Sequence, residues 1–178
     1  MNKKRLLWYL WGALIILGVV ALDQITKELV LAYVRGKDAI SVIPGVVSFD
    51  YTTNTGMAWG MLKEHRWVFM SVSTVAILGF TIVYFVIKEQ HILFRLSAGF
   101  VIGGGVGNMI DRVFRPNGGV VDFIKTEFME FPSFNVADAF ITVGVGMLIV
   151  YFLFLDKRQP HPLVFDDKKD KTEVTEDE

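Results

Sequence analysis

The sequence predicts an all-α membrane protein of four transmembrane helices, with a small extracytoplasmic β-sheet, or cradle, between helices 1 and 2. Three observations predict it. The 178 residues are 52% apolar, and their mean hydropathy of +0.43 is too high for an ordinary soluble domain. The charged residues, 18 basic and 19 acidic, crowd toward the C-terminus, which leaves residues 1–155 well below the usual charged share of about 25%. The apolar residues of that region fall into four runs that, with their flanks, are long enough to cross a bilayer as helices. Residues 1–155 therefore read as one integral membrane domain with its cradle over about residues 39–59. Residues 156–178, with Pro160, Pro162 and mixed charge, read as a disordered cytoplasmic tail.

The first run, residues 6–22, has no polar side chain except the Tyr9 hydroxyl and follows Lys3, Lys4 and Arg5. A cleaved signal peptide, with Val19 and Ala21 as a weak cleavage site, is the alternative reading. The run exceeds the roughly 7–15 residues of such a segment, so a retained helix is expected. The second run covers residues 67–87. The third covers residues 96–110, extended backwards by Ile92, Leu93 and Phe94. The fourth covers residues 139–155, with residues 134–136 as an extra turn.

Four crossings put both termini on one side of the membrane. Lys3, Lys4, Arg5, Lys88, Arg95, Lys157 and Arg158 fall on that side, which the positive-inside rule makes cytoplasmic; Lys27, Arg35, Lys37, Lys63 and Arg66, in the outer loop, weaken the bias. The first helix is then expected to leave the membrane near Asp23, the third near Asp111, and the fourth to enter near Asp138. Ionisable groups at membrane depth are costly and point to function. Here they converge on the outer face.

In the loop between helices 1 and 2, Ile40, Val42, Val46, Val47, Phe49, Tyr51, Thr52 and Thr53 are strand formers. Pro44-Gly45 and Asn54-Thr55-Gly56 are turn signals. Hence the cradle.

Several chemistries are excluded by composition and motif. The chain has no cysteine, so no thiolate nucleophile, disulfide or zinc ribbon. A net charge of −1 gives no sign of nucleic-acid binding. There is no HExxH and no GxSxG, and His65, His91 and His161 lie at the edges of the predicted bundle. No cofactor or metal is expected.

What remains is a set of carboxylates and amides. Asn108 and Asp111 share a helix face at a spacing of three, and Asn135 and Asp138 repeat that spacing at the start of helix 4. Asp122 stands between Val121 and Phe123, an apolar setting for a charge. Plainer readings compete: the glycines of residues 103–107 could serve packing alone, Asp111 could pair with Arg112, Asp23 with Lys27 at i, i+4, and Asn54-Thr55-Gly56 could be only a turn. Two carboxylates forced together in a dry site share a proton. One can then deprotonate water while the other hydrogen-bonds a scissile carbonyl, the aspartic-protease solution, which needs no metal. Residue types and spacing leave Asp111 and Asp122 both open as the partner of Asp138.

The ordered set of Asp23-Gln24 with Lys27, NTGMAW (54–59), GNMIDR (107–112), VVDF (120–123) and FNVADA (134–139) resembles the bacterial lipoprotein signal peptidases, the signal peptidase II family. The likeness runs from the first predicted span to the fourth. It implies an aspartic endopeptidase of the bacterial cytoplasmic membrane, which removes signal peptides from diacylglyceryl-modified prolipoproteins by cutting on the amino side of the lipidated cysteine. It implies Asp122 and Asp138 as the catalytic pair. It also implies Asn108, Asn135 and Arg112 as residues lining the site, and Asp23, Lys27, Asn54, Gly56 and Asp111 as its support. The implied partners are the prolipoprotein, membrane lipid and a globomycin-type inhibitor. Gly105 departs from the family, which more often has alanine there. Intramembrane Asp and Asn also mark ion pathways, so a small transporter or proton-conducting bundle is the rival reading, with a non-catalytic precursor chaperone as another.

Overall fold

The computed structural model describes residues 3–55, 66–86 and 91–156. It is mostly helical. Helix α1 (Lys3–Tyr33) is followed by strands β1 (Ile40–Ile43) and β2 (Val47–Asn54), then by α2 (Arg66–Val86) and α3 (Ile92–Phe114). A short turn of 3-10 helix leads into β3 (Val120–Thr126), and α4 (Val136–Val150) ends in a π turn, Tyr151–Leu155. Among the described residues, Leu6–Tyr33, Ile92–Phe114 and Val136–Leu155 are long and apolar enough to cross a membrane, and α2 carries a shorter apolar stretch, Met70–Phe85.

The helices bury their small residues and turn many large ones outward. Leu14, Leu17, Val75 and Ile82 are each at least 60% exposed, the reverse of a soluble bundle and the pattern that suits lipid. Inside, α3 is the central element, packed against α1, α2 and α4. Its contact with α4 depends on glycines. A Cβ at Gly104 would stand 2.5 Å from the Ala137 carbonyl oxygen, and one at Gly144 would stand 2.8 Å from that of Ser97. Small residues allow such approach, and close packing supplies much of the association energy of helices in lipid.

Two features of the fold matter for the site. α1 runs on past Asp23 to Tyr33, and Asp23 and Lys27 pair within it at the i, i+4 spacing. Its last turns then act as a floor for the sheet: Val30 and Val34 pack with Val121 and Phe123, and Phe49 and Tyr51 close over them. The sheet is also not confined to the segment between the first two helices. Its order is β1-β2-β3, antiparallel throughout, so the third strand comes from the α3–α4 connection. In the β2–β3 register Thr52 lies opposite Asp122 and Asn54 opposite Val120. The residues expected to form the tail lie, apart from Asp156, outside the described residues.

Candidate active site

The site forms where α1, α3, α4 and the end of the sheet meet, and it has two layers. The lower is ionic. Lys27, fully buried, places Nζ 2.9 Å from Asp23 Oδ2 and 2.9 Å from Asp111 Oδ2. Asp111 is held further by Arg115 Nε at 2.7 Å and by the Val121 backbone N–H at 3.2 Å. Gln24 donates to Asp23, to Asp111 and to the Gly107 carbonyl. Asp23 Oδ1 accepts from the Ala137 N–H at the start of α4, a favourable place for an anion because the first N–H groups of a helix lack intrahelical partners. Buried charges demand such complete pairing, since an uncompensated one costs several kcal/mol.

The upper layer is made of amides and two carboxylates. Asn135 is the N-cap of α4: its side chain accepts from the Asp138 N–H, and the Asp138 carboxylate accepts from the Asn135 N–H at 3.1 Å, a reciprocal capping box. The Asn135 Nδ2 donates to Asp122 Oδ1 at 2.6 Å and to Asn108 Oδ1 at 3.1 Å. Asn108 Nδ2 donates to Asp138 Oδ1 at 2.7 Å, and Asn54 Nδ2 donates to Asp122 Oδ2 at 2.9 Å. Asn135 thus touches both carboxylates.

The two layers differ in electrostatics. Asp111 has two cations bonded to it, whereas Asp122 is 2% exposed, accepts from the amides of Asn54 and Asn135, and feels Lys27 and Arg112 only through space. Burial pushes the Asp122 carboxyl up to about 7, and the nearby Asp138 charge pushes the same way, outweighing the amides of Asn54 and Asn135 that favour the ionised form. Such a carboxyl exchanges its proton near neutral pH, as acid–base chemistry requires.

The structure brings together Asp23, Lys27, Asn54, Asn108, Asp111, Asp122, Asn135 and Asp138. Arg112 lies near enough to feel the charges of Asp122, Asp138 and Asp111. Gly56 lies outside the described residues, as do residues 57–59 of its motif. Arg115 was not anticipated, although its i, i+4 spacing from Asp111 was available as a signal. The plain reading of Asp111 as half of an ion pair fits the structure with other partners, Lys27 and Arg115. Among the described residues no cluster of three or more His, Asp or Glu side chains is arranged to hold a metal ion.

The chain is similar to known proteins in sequence and in fold. The profile of the family described as signal peptidase (SPase) II matches residues 15–154. A lipoprotein signal peptidase of Symbiobacterium thermophilum is 42% identical over 150 residues, covering 81% of this chain and 96% of the relative. One from Brevibacillus brevis is 38% identical, covering 84% and 99%. The solved structure of a bacterial membrane enzyme superposes with a TM-score of 0.73 at 32% identity, covering 86% of this chain and 94% of that one. On the family match and these identities over most of its length, the chain belongs to the signal peptidase II family, whose members are aspartic-type peptidases.

Proposed function

We propose that the protein removes signal peptides from lipidated prolipoproteins, with Asp122 and Asp138 as its catalytic pair. The observation that carries the pair is Asn135, which bridges the two carboxylates through its side-chain and backbone N–H groups. Asp111, by contrast, is occupied by two cations and a backbone N–H.

In this reading all four helices cross the bacterial cytoplasmic membrane, with both termini cytoplasmic and the sheet outside. The signal helix of the substrate crosses beside the enzyme, the acyl chains stay in the outer leaflet, and the bond before the lipidated cysteine lies level with the pair. The ionised aspartate takes a proton from water as the water oxygen attacks the scissile carbonyl carbon. The protonated partner hydrogen-bonds the carbonyl oxygen and passes it its proton, which gives the diol. When the tetrahedral diol collapses, the C–N bond breaks and the cysteine amine leaves with a proton returned by the pair. A globomycin-type peptide would compete for this place.

The test is a gel-shift assay of purified protein with a diacylglyceryl-modified precursor. Asp122→Asn and Asp138→Asn should each lower turnover by at least about a hundredfold while the thermal transition in detergent persists. Full turnover by either variant would remove the pair from the mechanism. Proton or solute flux in liposomes, without cleavage, would favour the transporter reading instead.

A further inference from the structure

At the other end of α3, Arg95 is separated from Asp111 by roughly 24 Å of helix at about 1.5 Å per residue. It is 5% exposed. Three aromatic rings surround its guanidinium carbon: Trp8 at 5.4 Å and Tyr9 at 6.0 Å from α1, and Tyr84 at 5.4 Å from α2.

The rings satisfy the charge through their faces. A guanidinium, however, makes its hydrogen bonds in its own plane, and stacked rings supply no acceptor there. Among the described residues, Nε and Nη1 of Arg95 have no hydrogen-bond partner, and neither does the buried hydroxyl of Tyr84. Three orphaned donors therefore share one cage. Nor does a carboxylate among the described residues pair with Arg95, and the first turn of α3 has no acidic residue. A cation in the first turn also opposes the helix dipole. Every one of these deficits is met by an anion with several acceptor oxygens.

Beside the cage runs an apolar cavity of about 350 Å³ between α2, α3 and α4, lined by Gly79, Phe80, Phe94, Ala98, Leu148 and Phe152 among others. The two features share a wall, since Phe80 and Ala98 pack against Tyr84. We propose that cage and cavity together bind an anionic glycerophospholipid of the cytoplasmic leaflet, its phosphate on Arg95 and Tyr84 and an acyl chain in the cavity. Trp8 and Tyr9 are half-buried and form the wall through which a headgroup approaches. A cation with amphipathic aromatic rings suits the interface, where headgroup phosphates reside.

The experiment uses the full chain in phosphatidylcholine nanodiscs doped with phosphatidylglycerol, and in detergent with inorganic phosphate alone. Lipid retained after stripping is counted by native mass spectrometry, and the thermal midpoint is recorded. Phosphatidylglycerol should be retained in preference to phosphatidylcholine and should raise the midpoint. Arg95→Gln should weaken its retention roughly tenfold or more, the worth of a charged hydrogen bond. Gly79→Leu fills the cavity from a position where a Cβ meets nothing within 4 Å, so it should weaken retention with the cage intact. It keeps the test decisive if Arg95→Gln does not fold. Lys125→Gln, at the exposed edge of the sheet, should change nothing. Equal retention by wild type and the Gly79→Leu or Arg95→Gln variant would overturn the assignment. So would inorganic phosphate raising the midpoint as much as the lipid does, since that assigns the cage to a free anion.

Discussion

Lys27 Nζ lies 3.0 Å from Asn108 Oδ1, and this contact, together with the donor from Asn135 Nδ2, sets which way the Asn108 amide faces. With its oxygen held by the cation, its nitrogen is turned to Asp138 Oδ1. A buried lysine that touches neither member of the proposed pair therefore orients a donor onto one of them. Asn108→Asp preserves shape and the contact with Lys27 but sets an oxygen against Asp138. Turnover should fall ten- to a hundredfold, the loss of a charge-assisted hydrogen bond, and should fall further than in Asn108→Ala. The comparison is made on kcat, with thermal scans to confirm folding.

Removing Lys27 itself should act mainly on stability. Lys27→Met strands Asp23 without a cation, whereas Asp111 keeps Arg115. Breaking a buried pair costs about 3–5 kcal/mol. The double variant Lys27→Met with Asp23→Asn should recover part of that loss, because it restores neutrality. A thermal midpoint in the double variant no higher than in Lys27→Met alone would contradict the charge accounting.

The Asp122 carboxyl predicts a pH dependence. Its native value, about 7, lies above the ordinary 3.8, so the folded state holds a proton that the unfolded state has released. Stability should therefore fall as pH rises from about 4 to about 7, by at most about 4 kcal/mol. Asp122→Asn removes this contribution, so the midpoint of the wild type relative to the variant should drop across that window. Activity should decline above pH 7 as the last shared proton leaves. Asn54 donates to Asp122 and favours its ionised form, so Asn54→Ala should move that alkaline limb to higher pH.

Two glycines of α3 should respond differently to alanine. A Cβ at Gly107 would lie 2.6 Å from Asp23 Oδ2, and that carboxylate is pinned by Lys27 and Ala137. Gly107→Ala should cost about 1–3 kcal/mol. At Gly105 the same Cβ meets Ile77 Cγ1 at 2.9 Å and Cδ1 at 3.2 Å, atoms of a side chain that no hydrogen bond or ion pair pins. There the gain of about 1 kcal/mol in helix propensity should offset the crowding. Thermal midpoints of the two variants in one detergent decide the order.

The helices were legible because apolar runs of bilayer length have few other uses, and Asn135 and Asp138 were legible as a pair at the start of α4 by their spacing of three, though not as its capping box. What local spacing could not supply was pairing between distant segments. Asn54 and Asp122 are 68 positions apart, and nothing in either segment announces that β3 completes the sheet. The Asp23–Lys27 pair was legible from its i, i+4 spacing, but that Lys27 also bridges to Asp111, far along the chain, was not. The proposed preference for Asp122 over Asp111 also turns on neighbours, namely two cations bonded directly to Asp111 and two amides bonded to Asp122. Neither set is adjacent in sequence.

The bond from the Ala137 N–H to Asp23 Oδ1 joins positions 114 residues apart, and it bears on how the enzyme comes into being. Translation delivers Asp23 early and Ala137 late. While α4 is still unmade, Asp23 has no helix start to receive, and neither Asn135 nor Asp138 has been synthesised. On the proposed pair, a nascent chain that stops short of α4 lacks Asp138, and the bond that ties the start of the last helix to the first can form only after Ala137 is made.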